Sequence, residues 1–235
     1  MGFGWLVLGY TVSALISAVA DALNFGALAR LLGYVLMLMG LVELKKYQKA
    51  FRYPMWLVCI LCLPAFYDGV RELSETFLWS VPFVNGRITA IVGWMDFALL
   101  ILFHLSLYYA IRAIALQVEL PKTASFTYFD GAICLFYLVC YLIVQLVLGE
   151  AVRVYFTAAL SVLLLFWRLC DLHLLISCFK NICRAGDEDQ APRQYRWKFL
   201  NRLNASFANN FRRAADSNRE AYEERLRKKR NRNGK

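Results

Sequence analysis

The chain has 235 residues, of which 60% are hydrophobic and only 19% are charged, and its mean hydropathy is +0.45. A soluble domain of this length cannot hide so large an apolar fraction inside itself, so the composition excludes a soluble globular protein and indicates lipid as the solvent. The net charge of +10 comes from a basic C-terminal tail, because 15 of the 27 Lys and Arg residues fall between Arg184 and Lys235. The rest of the chain is close to neutral.

Six apolar stretches come near the roughly 20 residues that a helix needs to cross a bilayer. We therefore predict an all-α integral membrane protein, with a six-helix transmembrane bundle in residues 1–183. An acidic linker in residues 184–192 and a cytoplasmic basic tail in residues 193–235 are expected to follow it. The predicted spans are approximately residues 3–20, 28–44, 54–70, 90–112, 131–148 and 154–179.

The first span has an alternative interpretation as a signal peptide. It ends in Ala18-Val19-Ala20, an A-x-A cleavage pattern, although no Lys or Arg precedes the apolar run. Small residues at Gly9, Ser13 and Ser17 recur every four residues, the spacing that lets membrane helices approach closely. This spacing favours a helix that is retained in the bundle.

The third span is interrupted by a proline, Pro64, and by the charged residues that follow it. A proline inside a helix removes one backbone hydrogen bond, and charged side chains are unfavourable in lipid. We therefore expect a kink at Pro64 and an interfacial helix after about residue 70. The charged residues are Asp68, Arg71, Glu72 and Glu75.

The seven cysteines lie in or at the ends of apolar segments rather than in loops where oxidation could cross-link them. We interpret them as buried free thiols. Cys59 and Cys62 form a C-x-x-C, but neither a βαβ pattern nor a second pair accompanies it, so a redox or zinc site is not indicated. The other five are Cys134, Cys140, Cys170, Cys178 and Cys183.

The loops between the spans differ in their content of basic residues, and this difference predicts the orientation of the chain. One set of loops, which lies on the same side as the basic tail, holds Lys45, Lys46, Lys49, Arg52, Arg112 and Lys122. The other set holds only Arg30, Arg71, Arg87 and Arg153. Because loops rich in Lys and Arg stay in the cytoplasm, both termini are predicted to be cytoplasmic.

Residues 29–53, ARLLGYVLMLMGLVELKKYQKAFRY, join an apolar helix with a Gly-Tyr near its start to a short basic linker and an aromatic residue. In this stretch the chain resembles uncharacterised small multi-pass membrane proteins of Gram-positive bacteria. The resemblance covers about 25 residues and implies a location in the bacterial cell (inner) membrane. It implies no catalytic residue.

The last three spans each carry one stripe of polar side chains, placed by a helical repeat of about 100° per residue. An ionised side chain that faces lipid costs at least about 2.5 kcal/mol, so we expect the three stripes to face one another in the bundle core. The stripe residues are Asp96 and His104 in the fourth span, Asp130, Tyr137, Tyr141 and Gln145 in the fifth, and Thr157, Ser161, Arg168 and Asp171 in the sixth.

Spacing and depth predict which of these residues meet. Arg168 and Asp171 are three residues apart, which allows an ion pair on one face of the helix. His104 and Asp171 lie at similar depths, roughly 12 to 13 Å from the inner surface, so they can meet if the fourth and sixth helices are neighbours. His173 lies about 140° around the helix from Arg168 and belongs to another face.

No cofactor, metal site or enzyme activity is expected. His104 and His173 lie at similar depths on two parallel helices, as a bis-histidine haem would require, but two imidazoles alone are a weak signal. The sequence contains no H-E-x-x-H, no G-x-S-x-G and no G-x-x-x-x-G-K-[ST]. The Asp-Gly dipeptides at Asp68 and Asp130 lack the following Ala-Arg of membrane phosphatidyltransferases. We therefore predict no catalytic residue.

The tail contains an amphipathic segment, QYRWKFLNRLNASFANNFRR, whose apolar residues recur at helical spacing. We predict a helix on the inner leaflet, with the distal RLRKKRNRNGK attracting anionic lipid headgroups by about 1 kcal/mol per basic residue. The alternative is a disordered tail that only enforces the topology. Binding of a protein partner by this membrane protein also stays an open alternative. Nucleic acid is not favoured, because no recognition fold is present. The apolar residues are Trp197, Phe199, Leu200, Leu203, Phe207 and Phe211.

Two classes of function follow from these patterns. The sequence favours a non-enzymatic membrane scaffold or sensor, in which the polar stripes only hydrogen-bond one helix to another. The alternative is a small transporter or channel that uses the polar core of the bundle for a solute or a proton. The two classes differ in whether the facing stripes pack without water or enclose a water-accessible cavity.

The charge asymmetry makes the topology testable. We expect reporters fused at Lys235 and inserted in the 45–52 loop to be cytoplasmic, and a reporter inserted near Arg87 to be exported, because basic loops are retained inside. Paired reporters that are active only outside or only inside the cell will measure this. A cytoplasmic reporter near Arg87 would mean that the third span does not cross the membrane.

Overall fold

The computed structural model describes residues 2–21, 25–77, 86–118, 120–147, 149–182, 202 and 205–206. Within these residues every regular element is a helix, and six helices are long and apolar enough to cross a membrane. The predicted all-α architecture with six apolar helices is thereby confirmed. The linker at residues 184–192 lies outside the described residues, and so do the tail residues Trp197, Phe199, Leu200, Leu203, Phe207 and Phe211.

Each predicted span overlaps one helix, but most helices are longer than predicted, and the fifth begins at Pro121 rather than at residue 131. The first consists of α1 (Gly2–Thr11), a π-helical segment (Val12–Ile16) and α2 (Ser17–Asp21). It is followed by α3 (Gly26–Leu44), a 3-10 turn (Lys49–Phe51) and α4 (Arg52–Phe77). The second half contains α5 (Gly86–Gln117), α6 (Pro121–Leu146) and α7 (Glu150–Asn181).

The helices form a ring in chain order. Each packs on the next along the chain, from α1 against α3 through to α6 against α7, and α7 returns to pack on α1. The largest fully buried side chains include Trp5, Tyr10, Phe103 and Trp167, which come from three different helices. We call the end where α3, α5 and α7 begin the outer end, because the basic loops predict that it lies outside.

The first helix and α3 approach closely through small residues. A Cβ atom on Gly33 would lie 2.5 Å from the Cβ of Ser13, and one on Gly9 would lie 2.5 Å from the backbone nitrogen of Met37. Any side chain at either glycine would therefore push the two helices apart. The small-residue spacing predicted to mediate helix packing is confirmed, and the first helix is an integral part of this fold.

Beyond residue 70, where the third span was expected to become an interfacial helix, the chain stays in the same helix. Helix α4 continues through Pro64 to Phe77, because its polar end has partners on α3. Asp68 forms an ion pair with Arg30 at 3.2 Å, and the Glu72 carboxylate accepts a hydrogen bond from the backbone nitrogen of Ala27 at 3.0 Å. An acidic group at the start of a helix satisfies free N–H groups and complements the helix dipole.

The cysteine prediction holds in part. The six described cysteines are all free thiols, but Cys59 is exposed on the outer surface of the ring, so its predicted burial was wrong. A thiol is apolar enough to lie on such a surface at little cost. Cys134 and Cys178 are fully buried, whereas Cys62, Cys140 and Cys170 are partly buried.

The close contact of α1 with α3 predicts how glycine substitutions affect stability. We expect Gly33→Ala to lower the free energy of unfolding by about 1–3 kcal/mol, because the added methyl overlaps Ser13. Gly93→Ala on α5 is the matched control, since nothing lies within 4 Å of the Cβ that it adds. Thermal unfolding of the purified protein in detergent measures both. Equal losses for the two variants would contradict the close contact.

Candidate functional site

Asp171 on α7 is the centre of a hydrogen-bonded cluster in the bundle core. Its carboxylate accepts one hydrogen bond from the Tyr10 hydroxyl of α1, at 2.5 Å, and another from the Tyr108 hydroxyl of α5. His104 Nε2 lies 3.3 Å from the same carboxylate. The indole nitrogen of Trp167 donates to the Tyr108 hydroxyl at 2.8 Å. One buried carboxylate thus connects α1, α5 and α7.

The cluster is closed to its surroundings. His104 is fully buried and Asp171 is only 2% exposed. His104 Nδ1 lies 2.7 Å from the backbone carbonyl oxygen of Leu100, and because a carbonyl can only accept, Nδ1 carries a hydrogen. Nε2 is therefore the ring nitrogen that faces Asp171 and the Tyr10 hydroxyl. All five polar side chains of the cluster have partners, as a buried network requires.

The structure confirms one predicted pairing and overturns another. His104 and Asp171 meet, as their matched depths predicted. The predicted ion pair between Arg168 and Asp171 is not among the ion pairs of the described residues. The two tyrosine hydroxyls occupy the Asp171 carboxylate instead. Sequence patterns missed Tyr10 and Tyr108, although Tyr108 follows His104 by four residues and so shares its face of α5.

A cavity of about 420 Å³ lies between the first helix, α3, α5 and α7. It extends from Ser17 and Arg30, near the outer end, to Tyr10 and Arg168 beside the Asp171 cluster. Small side chains of the first helix leave the space open, and charged groups from three helices reach it. The lining residues are Tyr10, Ser13, Ala14, Ser17, Ala18, Arg30, Tyr34, Met37, Asp96, Leu100, Phe103, Ser161, Leu164, Leu165 and Arg168.

The three charged residues of the cavity differ in their partners. Arg30 is paired with Asp68 at 3.2 Å. Arg168 belongs to no ion pair of the described residues, and its guanidinium carbon lies 5.7 Å from the Tyr10 ring centroid and 5.6 Å from that of Trp167. The Oδ1 atom of Asp96 is buried without a hydrogen-bond partner in the described part of the chain.

The stripe of α6 turns inward along most of its length. Asp130 is fully buried, and the Tyr137 ring lies 5.3 Å from the ring of Trp167. Tyr141 is partly buried and stacks on Phe97 of α5 at 4.1 Å between ring centroids. Gln145 is partly buried near the outer end. The predicted facing of this helix toward α5 and α7 is therefore observed.

The two outermost residues of the α7 stripe, Ser161 and Thr157, lie in different surroundings. Ser161 is exposed but lines the cavity. Thr157 was predicted in the core but is exposed, and this prediction was wrong. Its hydroxyl donates to the Arg153 carbonyl of the preceding turn at 2.8 Å, so the helix itself satisfies the polar group and no neighbouring helix is needed.

The two histidines do not converge. His104 is buried inside the ring, whereas His173 is exposed, with its ring 5.6 Å from that of Phe126. A haem held between them would need both imidazoles on the same side of the helices. Within the described part of the chain, no group of three or more His, Cys, Asp or Glu side chains is arranged to hold a metal ion.

Comparisons with protein families, with curated proteins and with solved structures found no match to this chain. The likeness of residues 29–53 to membrane proteins of Gram-positive bacteria therefore stays an expectation from sequence. The chemistry open to the protein follows from two features, the sealed Asp171 cluster and the charged cavity above it.

The cluster predicts that adjacent tyrosines differ in their contribution to stability. We expect Tyr108→Phe to lower the free energy of unfolding by about 1–3 kcal/mol, because Trp167 and Asp171 both lose a buried hydrogen-bond partner. Tyr109→Phe is the control, since Tyr109 is 62% exposed. The cost of Asp171→Asn should be smaller in the Tyr108→Phe background than in the native protein. Additive costs, measured by thermal unfolding, would show that the two side chains are not coupled.

Proposed function

We propose that the protein is an integral membrane protein that binds a small polar solute in the cavity and acts as a small transporter. The observation that carries this proposal is the charged cavity of about 420 Å³ inside a ring of apolar helices. Its volume is in the range of sites for small molecules, which are concave and contain a few well-placed polar groups. Intramembrane charges that face a cavity mark solute and ion pathways.

The outer surface of the ring supports insertion in a membrane. Large apolar side chains point away from the core, among them Leu63, Phe66, Leu146 and Val162, which are 64% to 70% exposed. Apolar surface is unfavourable in water by roughly 25 cal/mol per Å², and lipid removes this cost. We place both termini in the cytoplasm of a bacterial cell, with the basic tail on the anionic inner leaflet.

Buried polar groups continue from the cavity toward the inner end of the bundle. This arrangement supports a pathway for the solute through the bundle. Below Asp171, α6 contributes Asp130, Thr127 and Thr123, which are 0%, 3% and 8% exposed. Both carboxylate oxygens of Asp130 are buried and have no hydrogen-bond partner in the described part of the chain. A buried carboxyl without partners is costly. Its presence among the polar groups between the cavity and the inner end therefore favours a functional role.

A scaffold or sensor is the competing function. In such a protein, polar side chains inside the membrane serve to hold helices together, and the Asp171 cluster fits that role. The cavity does not, because it removes packing contacts and leaves the Asp96 Oδ1 atom buried without a hydrogen-bond partner in the described part of the chain. The transporter therefore accounts for more of the observed side chains.

Cysteine accessibility tests the proposal. In a cysteine-free background, Ser161→Cys should react with a membrane-impermeant maleimide added from the outside, because Ser161 lines the cavity. Val162→Cys is the control, since this adjacent residue is 70% exposed on the lipid-facing surface. Thiolate forms readily only in water, so we expect Ser161→Cys to react at least about tenfold faster. Equal rates, or no reaction at Ser161→Cys, would contradict a water-filled cavity open to the outside.

A further inference from the structure

We infer that the solute is a small zwitterion whose anionic group binds Arg168 and whose cationic group binds Asp96. This inference rests on the proposed function, because it names the class of molecule that the same cavity takes. It follows from the two opposite charges that the cavity presents, neither of which forms an ion pair with a described residue.

Arg168 provides the anion site. Its guanidinium has five N–H donors in a planar fork that matches a carboxylate or a phosphate in two-point contact. The aromatic rings of Tyr10 and Trp167 lie within 5.7 Å of the guanidinium carbon, but they cannot neutralise its charge. Asp171, the nearest acid on the same helix, is occupied by two tyrosine hydroxyls. Arg168 is attracted by Asp171 without direct contact, and an anion in the cavity would add a direct ion pair.

Asp96 provides the cation site. Its Oδ1 atom is buried without a hydrogen-bond partner in the described part of the chain, although the residue lines the cavity. Arg30, the other cation of the lining, forms its ion pair with Asp68 and attracts Asp96 only from a distance. A primary ammonium has three N–H donors, which match the acceptor oxygens of the Asp96 carboxylate.

The separation of the two charges favours one molecule that carries both. Asp96 precedes His104 by eight residues on α5, and Arg168 precedes Asp171 by three residues on the parallel α7. Because His104 and Asp171 are in contact, a rise of 1.5 Å per residue puts Asp96 about 7 Å nearer the outer end than Arg168. Asp96 and Arg168 are not among the ion pairs of the described residues, and a zwitterion of this length compensates both.

Three probes of equal chain length test the inference on the purified full chain in phosphatidylcholine nanodiscs. They are 4-aminobutyrate, which is zwitterionic, butyrate, which is anionic, and butylammonium, which is cationic. We expect 4-aminobutyrate to bind at least about tenfold more tightly than either singly charged probe, as measured by isothermal titration calorimetry. The two charges of 3-aminopropionate are closer together than those of 4-aminobutyrate, and those of 6-aminohexanoate are farther apart. Comparing the three affinities shows which separation of charges the cavity binds best.

Variants identify which residue binds which group. Asp96→Asn should weaken 4-aminobutyrate at least about tenfold and leave butyrate unchanged, whereas Arg168→Gln should weaken both. The controls are Glu75→Gln and Arg87→Gln, which make the same chemical changes at exposed residues outside the cavity. Thermal unfolding of each variant shows whether it is folded, and Arg168→Lys, which keeps the charge, replaces Arg168→Gln if the latter is not.

The outcomes separate this inference from the proposed function. Butyrate binding as tightly as 4-aminobutyrate, with no effect of Asp96→Asn, would overturn the zwitterion and leave an anion as the solute. Binding of none of the probes, in a protein whose Ser161→Cys variant reacts with the maleimide, would also overturn it while the water-filled cavity stands. Failure of Ser161→Cys to react removes the proposed function itself.

Discussion

The structure depends on the burial of one carboxylate. A buried carboxylate is costly unless hydrogen bonds stabilise it, and Asp171 finds its partners on other helices. Tyr10 and Tyr108 donate to it, and His104 lies 3.3 Å away. Because these partners come from the first helix and from α5, satisfying Asp171 fixes how α7 sits against both. The return of α7 to the first helix, which closes the ring, is thus tied to a polar requirement as well as to apolar packing.

The first helix has two roles that share one cause. Its small residues let α3 approach until Gly33 touches Ser13, and the same absence of bulk leaves space where the helix faces the centre. Ser13 and Ala14, from the π-helical segment Val12–Ile16, and Ser17 therefore line the cavity. The serine hydroxyls donate to carbonyls of their own helix, so they remain satisfied without a ligand. Close packing on one side and an open cavity on the other follow from one stripe of small side chains.

The two arginines of the cavity show how the neighbouring helix decides the state of a charge. Arg30 on α3 lies across from Asp68 on α4, and the two form an ion pair at 3.2 Å. Arg168 has an aspartate three residues away on its own helix, but Asp171 is occupied by hydroxyl groups. Both arginines line the cavity, but only Arg30 forms an ion pair among the described residues. Sequence spacing cannot distinguish the two cases, because spacing describes neighbours along one helix only.

The sequence by itself determined what depends on local periodicity and composition. It predicted six apolar helices, the small-residue face of the first helix, and the matched depth of His104 and Asp171. Each of these is a property of single helices with a fixed repeat and rise. Only the tertiary structure decided what depends on which helices are neighbours. In the tertiary structure α4 continues to Phe77, and Thr157 is exposed. The Asp171 carboxylate accepts hydrogen bonds from two tyrosines and forms no ion pair with Arg168. Side chains that lie far apart in the chain come into contact only when the helices pack. The residue pattern of a single helix therefore cannot predict these contacts.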